Sequence, residues 1–373
     1  MSLPTNHAHI IRAAWQGRIS GCMLGKAVEL FSMREGAAAL GEYLQATGAL
    51  PLRDYIPYVQ ELASKHIDVK CCADHLTHSR PDDDINYSML ALLMLEKFGT
   101  ALSTADVARS WMKYLPVAST YTAERAAYKT LLSNAHEWFP EGKDAGFDMT
   151  LCADNAYNDW IGAQIRADLY GWVCPGNPDL AAKLVTADAQ LSHQGDGVYG
   201  AVLIATLGAL IPVHSLPAEP ARNSAKQDSA SGLNHALDQA LTYIPQDSEC
   251  TNAVRFAREL THDPKGAEKI RQRYKELSVV HTVNNLALVI WALLRHHNDF
   301  SAAIGEVVAA GLDTDCNGAT VGSLWALQGQ PIPVHWTQPW QGQVGLSLAG
   351  HDRIEIDELV ARTVQVADTM HKQ

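Results

Sequence analysis

Apolar positions recur along most of this chain at intervals of three and four, the spacing of a helix with one buried face. Ile10, Ile11, Ala14, Trp15, Ile19, Cys22 and Met23 set the pattern and predict a helix over 8–30. The same periodicity predicts helices near 33–46, 84–98, 104–115, 121–135, 178–190, 198–211, 233–244, 250–260, 265–277, 282–296, 300–310 and 314–328. Period-two alternation is hard to find over a strand length, so the expected fold class is all-α, a single multi-helix domain spanning 1–373. The elements are joined by loops containing Gly or Pro. One stretch, Ser215 to Gly232 (SLPAEPARNSAKQDSASG), lacks a periodic apolar face and reads as an exposed loop or insertion.

The longest apolar stretch, Tyr199 to Val213, is shorter than the roughly 20 residues that span a bilayer and predicts a buried core helix. Two glycine pairs carry packing information: Gly21 and Gly25 in GCMLG, Gly318 and Gly322 in GATVG. Residues four apart share a helix face, so each pair leaves a patch without side chains that another backbone can approach closely.

Composition narrows the function classes. The chain is 47% hydrophobic and 19% charged, far from a disordered composition. Its formal net charge of −12 argues against a nucleic-acid partner or an anionic membrane surface. A small anionic substrate stays open, because bound cations reverse the field of an acidic site. Seven cysteines, an odd number without disulfide-framework spacing, fit a reducing cytoplasm. MSLPTNHAHI has neither a basic nor an apolar leader segment, so no signal peptide is expected.

The polar pattern is sharpest at two places. Asp82-Asp83-Asp84 stands directly before an apolar helical run, and so does Asp313-Thr314-Asp315, with 84 and 313 separated by 229 positions. One Asp satisfies the free N–H groups of a helix start; three in succession exceed that need. Brought together, five carboxylates would repel one another and take up protons. Divalent cations remove the conflict, and oxygen donors favour Mg²⁺, Ca²⁺ or Mn²⁺ over zinc. Two ions roughly 3.5–4 Å apart would suit the set.

Other motifs are weaker. Gly195, Gly197 and Gly200 spell GxGxxG, but the preceding residues read as a helix started by Pro178 and not as a strand, which excludes a dinucleotide fingerprint. Cys71, Cys72, His75 and His78 lack the paired spacing of a zinc site. HTVNN at 281–285 either caps an apolar helix or supports the acidic residues. Trp160, Trp172 and Tyr199 are either core or a stacking surface for a base.

GCMLGKAVE, DDDINYSMLAL, the run from IGAQIRADLYGW to GDGVYGA, HTVNN and GLDTDCNGATVGS occur in the order seen in the ADP-ribosylglycohydrolase family, and the chain resembles that family from about 15 to 337. The resemblance implies one all-α domain holding two Mg²⁺ ions beneath a cleft for ADP-ribose, with Mn²⁺ as a substitute. It also implies hydrolysis of an N- or O-glycosidic bond in a small-molecule or ADP-ribosylated substrate. The implied metal ligands are Asp82, Asp83 and Asp84 on one side and Asp313, Asp315 and Cys316 on the other. Asp83 or Glu29 is the expected general acid or base, and Ser192, His193, Gly195, Gly197 and Tyr199 are expected to flank the substrate.

Three departures stand out. Asp82 replaces a hydroxyl ligand, Cys316 stands where a hydroxyl is usual, and KAVEL replaces the usual Gly-Asp after the first helix, with Glu29 near that place. Sulfur is a poor partner for Mg²⁺, so the second ion is expected to be weak, water-completed or held by a neighbour such as Asn317. A non-catalytic ADP-ribose-binding or structural relative is the alternative reading. An isoprenoid synthase, also helical and Asp-rich, is disfavoured because DTDCN lacks the second motif of that family.

Overall fold

The structure is a computed structural model, which describes residues 6–62, 64–135, 139–215 and 229–372. Helices α1 (His7–Lys26) and α2 (Glu29–Ala46) are followed, after a long irregular stretch, by α3 (Asp83–Phe98), α4 (Thr104–Tyr114) and α5 (Thr122–Asn134). Then come α6 (Asp168–Trp172), α7 (Pro178–Ala189), α8 (Asp196–Ser215), α9 (Ser229–Ala240), α10 (Glu249–Glu259) and α11 (Gly266–Arg273). The last third holds α12 (Thr282–Arg295), α13 (Phe300–Ala309), α14 (Thr314–Ala326), α15 (Val334–Thr337) and α16 (Ile356–Lys372). A small antiparallel hairpin, β1 (Gln343–Leu348) with β2 (His351–Glu355), precedes α16.

The centre of the domain is the antiparallel pair α1 and α14. Every residue of α14 is buried. Gly17, Gly21 and Gly25 on α1 meet Gly322, Gly318 and Thr314 on α14, and a Cβ built on Gly21 would lie 1.9 Å from the Gly318 carbonyl oxygen. The backbones therefore touch along their length, and Thr314 Oγ1 donates to the Gly25 carbonyl at 2.8 Å. This contact sets the end of α1 against the start of α14. Trp15 ties the pair to α16, its Nε1 donating to Thr363 Oγ1 at 3.0 Å.

Each helix predicted from periodicity is present. The predicted break between the first two falls at Ala27–Val28, so Glu29 opens α2, which kinks at Gly36 (φ 85°, ψ 170°). Helix α8 is long and apolar enough to cross a membrane by length and composition, but it is 83% buried inside the fold, as a core helix should be. Ser215 still belongs to α8 and α9 already runs from Ser229, while 216–228 of the expected loop lie outside the described residues.

The hairpin and α16 were not expected. Leu359, Val360, Thr363, Val366, Ala367 and Met370 give α16 a helical buried face all the same. All seven cysteines are free and buried.

Candidate metal centre

The end of α1 and the starts of α2, α3 and α14 meet at one point. Ligand atoms of Asp84, Asp315 and Cys316 lie within 4.8 Å of one another, as do those of Glu29, Asp313 and Asp315. A third such group joins Cys22 to Asp82 and Asp84. The two acidic clusters thus converge across 229 residues of sequence.

Local structure explains the placement. Gly311 (φ 81°) and Leu312 (φ 63°) both take left-handed backbone conformations just before α14. For a leucine that costs roughly 1–2 kcal/mol, and Ser32 Oγ holds the turn by donating to the Leu312 carbonyl at 2.8 Å. The turn leaves Asp313 outside the helix and Asp315 in its first turn. Asn285 on α12 then fixes both sides of the loop: its Oδ1 accepts from the Asp313 N–H at 3.2 Å and from Asn317 Nδ2 at 2.7 Å. Its own Nδ2 donates to the Val279 and His281 carbonyls. HTVNN therefore does both things considered for it, since His281 Nδ1 caps α12 through Val283 N–H.

Asp84 is positioned by Arg18, a fully buried side chain on α1. Arg18 Nη2 lies 3.2 Å from Asp84 Oδ1, and Nη1 lies 2.7 Å from Asp168 Oδ2. Asp84 Oδ2, Asp313 Oδ1 and Asp315 Oδ1 remain buried without a hydrogen-bond partner. Unpartnered buried carboxylate oxygens are costly, and such oxygens, with Asp315 grouped with Asp84 on one side and with Asp313 on the other, fit hard divalent cations. Cys316 is the poorer donor, because burial, ahead of the nearby carboxylates, raises its thiol well above the usual range and keeps it protonated.

Asp82 behaves differently from its neighbours. Its Oδ1 accepts the Asp84 N–H at 2.9 Å and its Oδ2 takes Lys26 Nζ at 2.6 Å, so both oxygens are engaged. Burial raises its pKa, but Lys26, with the Asp84 N–H and Cys22, together outweigh burial and hold it below the ordinary value. Asp83 points to the opposite outcome: burial, then Asp82 and Asp315, lift it well above the carboxylate range. Glu29 and Asp313 are lifted by burial and then by Asp315, and Asp84 by burial against the opposing Arg18. Asp315 is pushed up to about 6, by burial and then by Asp82.

Asp83, Glu29, Asp313, Asp315 and Cys316 line a cavity of about 600 Å³, together with Lys26, Arg34, Tyr121, Glu124, Trp160 and Val280. Glu124 is buried, with its Oε1 2.7 Å from Arg166 Nη1. Arg166 also binds Asp188 Oδ1 through Nε at 2.9 Å and Ser192 Oγ through Nη2 at 2.8 Å. This buried network stands behind the cavity wall.

None of the five residues expected to flank the substrate lines this cavity. Ser192 and His193 are fully buried in the Arg166 network, their side chains bonded to each other at 2.8 Å. Burial, and then Arg166, push the His193 imidazole well below its usual pKa. Gly197 packs on the Asn158 carbonyl, Gly195 shapes the turn before α8 with φ 49°, and Tyr199 packs against the core. These residues support the 158–160 segment, from which Trp160 does reach the cavity. Trp172 is core, 5.0 Å from Trp15. GxGxxG follows α7 and not a strand. Among the described residues, Cys71, Cys72, His75 and His78 form no metal-like group.

Lys26, Arg18, Arg166 and Glu124 are site residues that the sequence pattern did not point to. Arg18 carried a signal: it is the lone charge inside AAWQGRISGCML, a largely apolar run. Lys26 carried none, because its partner is 56 residues away.

Residues 3–372 match the sequence pattern of the family described as ADP-ribosylglycohydrolase. Among solved structures, one described as an ADP-ribosylglycohydrolase-related protein complex is similar in fold, with a TM-score of 0.59 and 18% sequence identity over 98% of this chain and 100% of that one. No curated protein gives a significant sequence match.

Proposed function

The chain belongs to the ADP-ribosylglycohydrolase family, and from that membership we propose that it is a Mg²⁺-dependent hydrolase, able to use Mn²⁺, that cleaves an N- or O-glycosidic bond of an ADP-ribosyl or related glycosyl substrate. The observation that carries the proposal is the pair of ligand groups that share Asp315, one with Asp84 and one with Asp313, each of the three acids keeping a buried, unpartnered oxygen, beside a cavity of about 600 Å³ that Asp313 and Asp315 line. That volume lies in the usual range for small-molecule sites.

When bound, a divalent cation supplies charge that holds sugar hydroxyls and lowers the pKa of a water. The chain does the rest. Arg18 and Asn285 orient the carboxylates that would hold the cation. Asp83 and Glu29 line the cavity with carboxyls that no hydrogen bond engages, and burial, ahead of neighbouring acids, raises the pKa of both, which leaves them available for proton transfer. One takes a proton from the attacking water, while the other gives one to the departing atom. Glycoside cleavage passes through an oxocarbenium-like state, which the same acidic wall stabilises. Trp160 and Tyr121 offer faces for a base, and Arg34, exposed at the cavity, offers a cation for phosphate.

The test is turnover of ADP-ribosylated arginine, serine and acetate, and of simpler ribosides, with Mg²⁺ and with chelator. Mg²⁺-dependent release of the glycone is expected, and Asp315→Ala should lower it by at least about 100-fold while the fold persists. Full activity in chelator, or in that variant, would refute the metal role. Turnover of a non-nucleotide glycoside alone would keep the hydrolase and discard ADP-ribose.

A further inference from the structure

We infer that Glu124 is a substrate-contacting residue, which accepts a hydroxyl of the bound sugar on the carboxylate oxygen that the protein leaves free. The inference rests on the glycoside reading above and adds to it a contact outside the two acidic clusters.

Glu124 belongs to a buried network that is one donor short. A guanidinium has five N–H groups, and Arg166 spends them all. Its Nε donates to Asp188 Oδ1 at 2.9 Å, and its Nη1 to Glu124 Oε1 at 2.7 Å and the Gly162 carbonyl at 3.1 Å. Its Nη2 donates to the Asp188 carbonyl at 3.3 Å and to Ser192 Oγ at 2.8 Å. Asp188 is satisfied at both carboxylate oxygens, since the Tyr170 hydroxyl donates to Oδ2 at 2.8 Å. Glu124 is not. Arg166 reaches its Oε1, and among the described residues no other side chain donates to Oε2. His193 Nε2 stays 3.9 Å from Oε1, beyond hydrogen-bonding distance.

The unfilled carboxyl stands at the cavity. Glu124 lines it beside Tyr121, Ile161 and Gly162. Gly162 makes room for this: a Cβ there would lie 2.1 Å from Oε1 and 2.7 Å from Oε2, so any side chain at 162 would push the carboxyl away. A buried acceptor without a donor is costly, and a ligand in the cavity can supply the donor. Leaving groups differ among the candidate substrates, whereas all of them carry sugar hydroxyls, which make short, strong bonds to carboxylates.

Calorimetric titration of ADP-ribose into the full chain with Mg²⁺ tests this, because that probe has no leaving group and reads the sugar contact alone. Glu124→Gln keeps the volume and turns its amide oxygen to Arg166, so an N–H group replaces the acceptor at the cavity. It should melt cooperatively and bind ADP-ribose at least about tenfold more weakly than wild type. Glu124→Asp keeps the charge and shortens the reach; it should lose as much, and it decides the matter if the amide variant does not fold. Tyr170→Phe removes a hydroxyl from the same network on the side away from the cavity, and should leave affinity unchanged. Wild-type affinity in a folded Glu124 variant would overturn the inference and leave the hydrolase reading standing. An equal loss in Tyr170→Phe would do the same, by showing that the network is only scaffold. No binding of ADP-ribose by wild type would overturn the inference together with ADP-ribose as the glycone.

Discussion

Replacing Gly21 with alanine should damage the candidate site without touching any residue in it. The new Cβ would stand 1.9 Å from the Gly318 carbonyl oxygen and 2.4 Å from its carbon. An unstrained contact needs roughly 3.3 Å between such atoms, so α1 and α14 must part by about 1.4 Å. Both helices are backed by core and the neighbouring contacts at Gly17 and Gly25 are as tight, so the cost should match or exceed the usual 1–3 kcal/mol of overpacking.

The same displacement would shift Asp313 and Asp315 relative to Asp84. A metal site tolerates only about ±0.2 Å in ligand distance, so Mn²⁺ affinity should fall at least about tenfold. Thermal unfolding and calorimetric Mn²⁺ titration read the two effects. Gly41→Ala is the control: it lies in α2 with nothing within 4 Å of the added Cβ, and the change should stabilise by about 0.5–1 kcal/mol. A Gly21→Ala protein with wild-type melting and metal affinity would refute the view that glycine contact positions the acids.

Two further outcomes are expected. Arg166→Met leaves Glu124 and Asp188 as buried acids without their cation, with side chains 4% and 2% exposed; about 3–5 kcal/mol of stability should be lost, and urea unfolding within about 1 kcal/mol of wild type would count against the network. The second concerns pH. In the metal-free fold Asp315 titrates near 6, above its ordinary 3.8, so the folded chain holds the extra proton; that stabilising contribution is full below about 3.8 and lost as pH rises through about 6. A cation competes with that proton and with those on Glu29, Asp83, Asp84 and Asp313, so the rise in melting temperature on adding Mg²⁺ should be larger at about pH 7.5 than at about pH 5. Equal shifts at both values would refute proton–metal competition.

Much of the fold was legible because helical periodicity persists where packing is one-sided. The glycine pairs also announced the central contact, since only close backbones need side-chain-free patches four residues apart. α16 was overlooked despite its regular spacing, and the short hairpin is legible only from the pairing of β1 with β2. The acids at 82–84 and 313–315 stood out because they exceed what helix capping needs. Roles set by long-range partners stayed hidden: Asp82 looks like its neighbours in sequence, yet Lys26 and a backbone N–H consume it. Ser192 and His193 were placed beside the substrate, whereas Arg166 and Glu124 stand between them and the cavity.

Gly25 and Thr314 are 289 residues apart. A ribosome adding about 5–20 residues each second finishes the second helix some 15–60 s after the first has emerged. Throughout that interval the nascent N-terminal helix lacks α14, its main docking partner, and keeps bare apolar surface, which makes it a natural client for a chaperone. Asp313 and Asp315 therefore reach Asp84 only late in biogenesis, and a truncated translation product lacking the final sixty-odd residues would carry Asp84 without them.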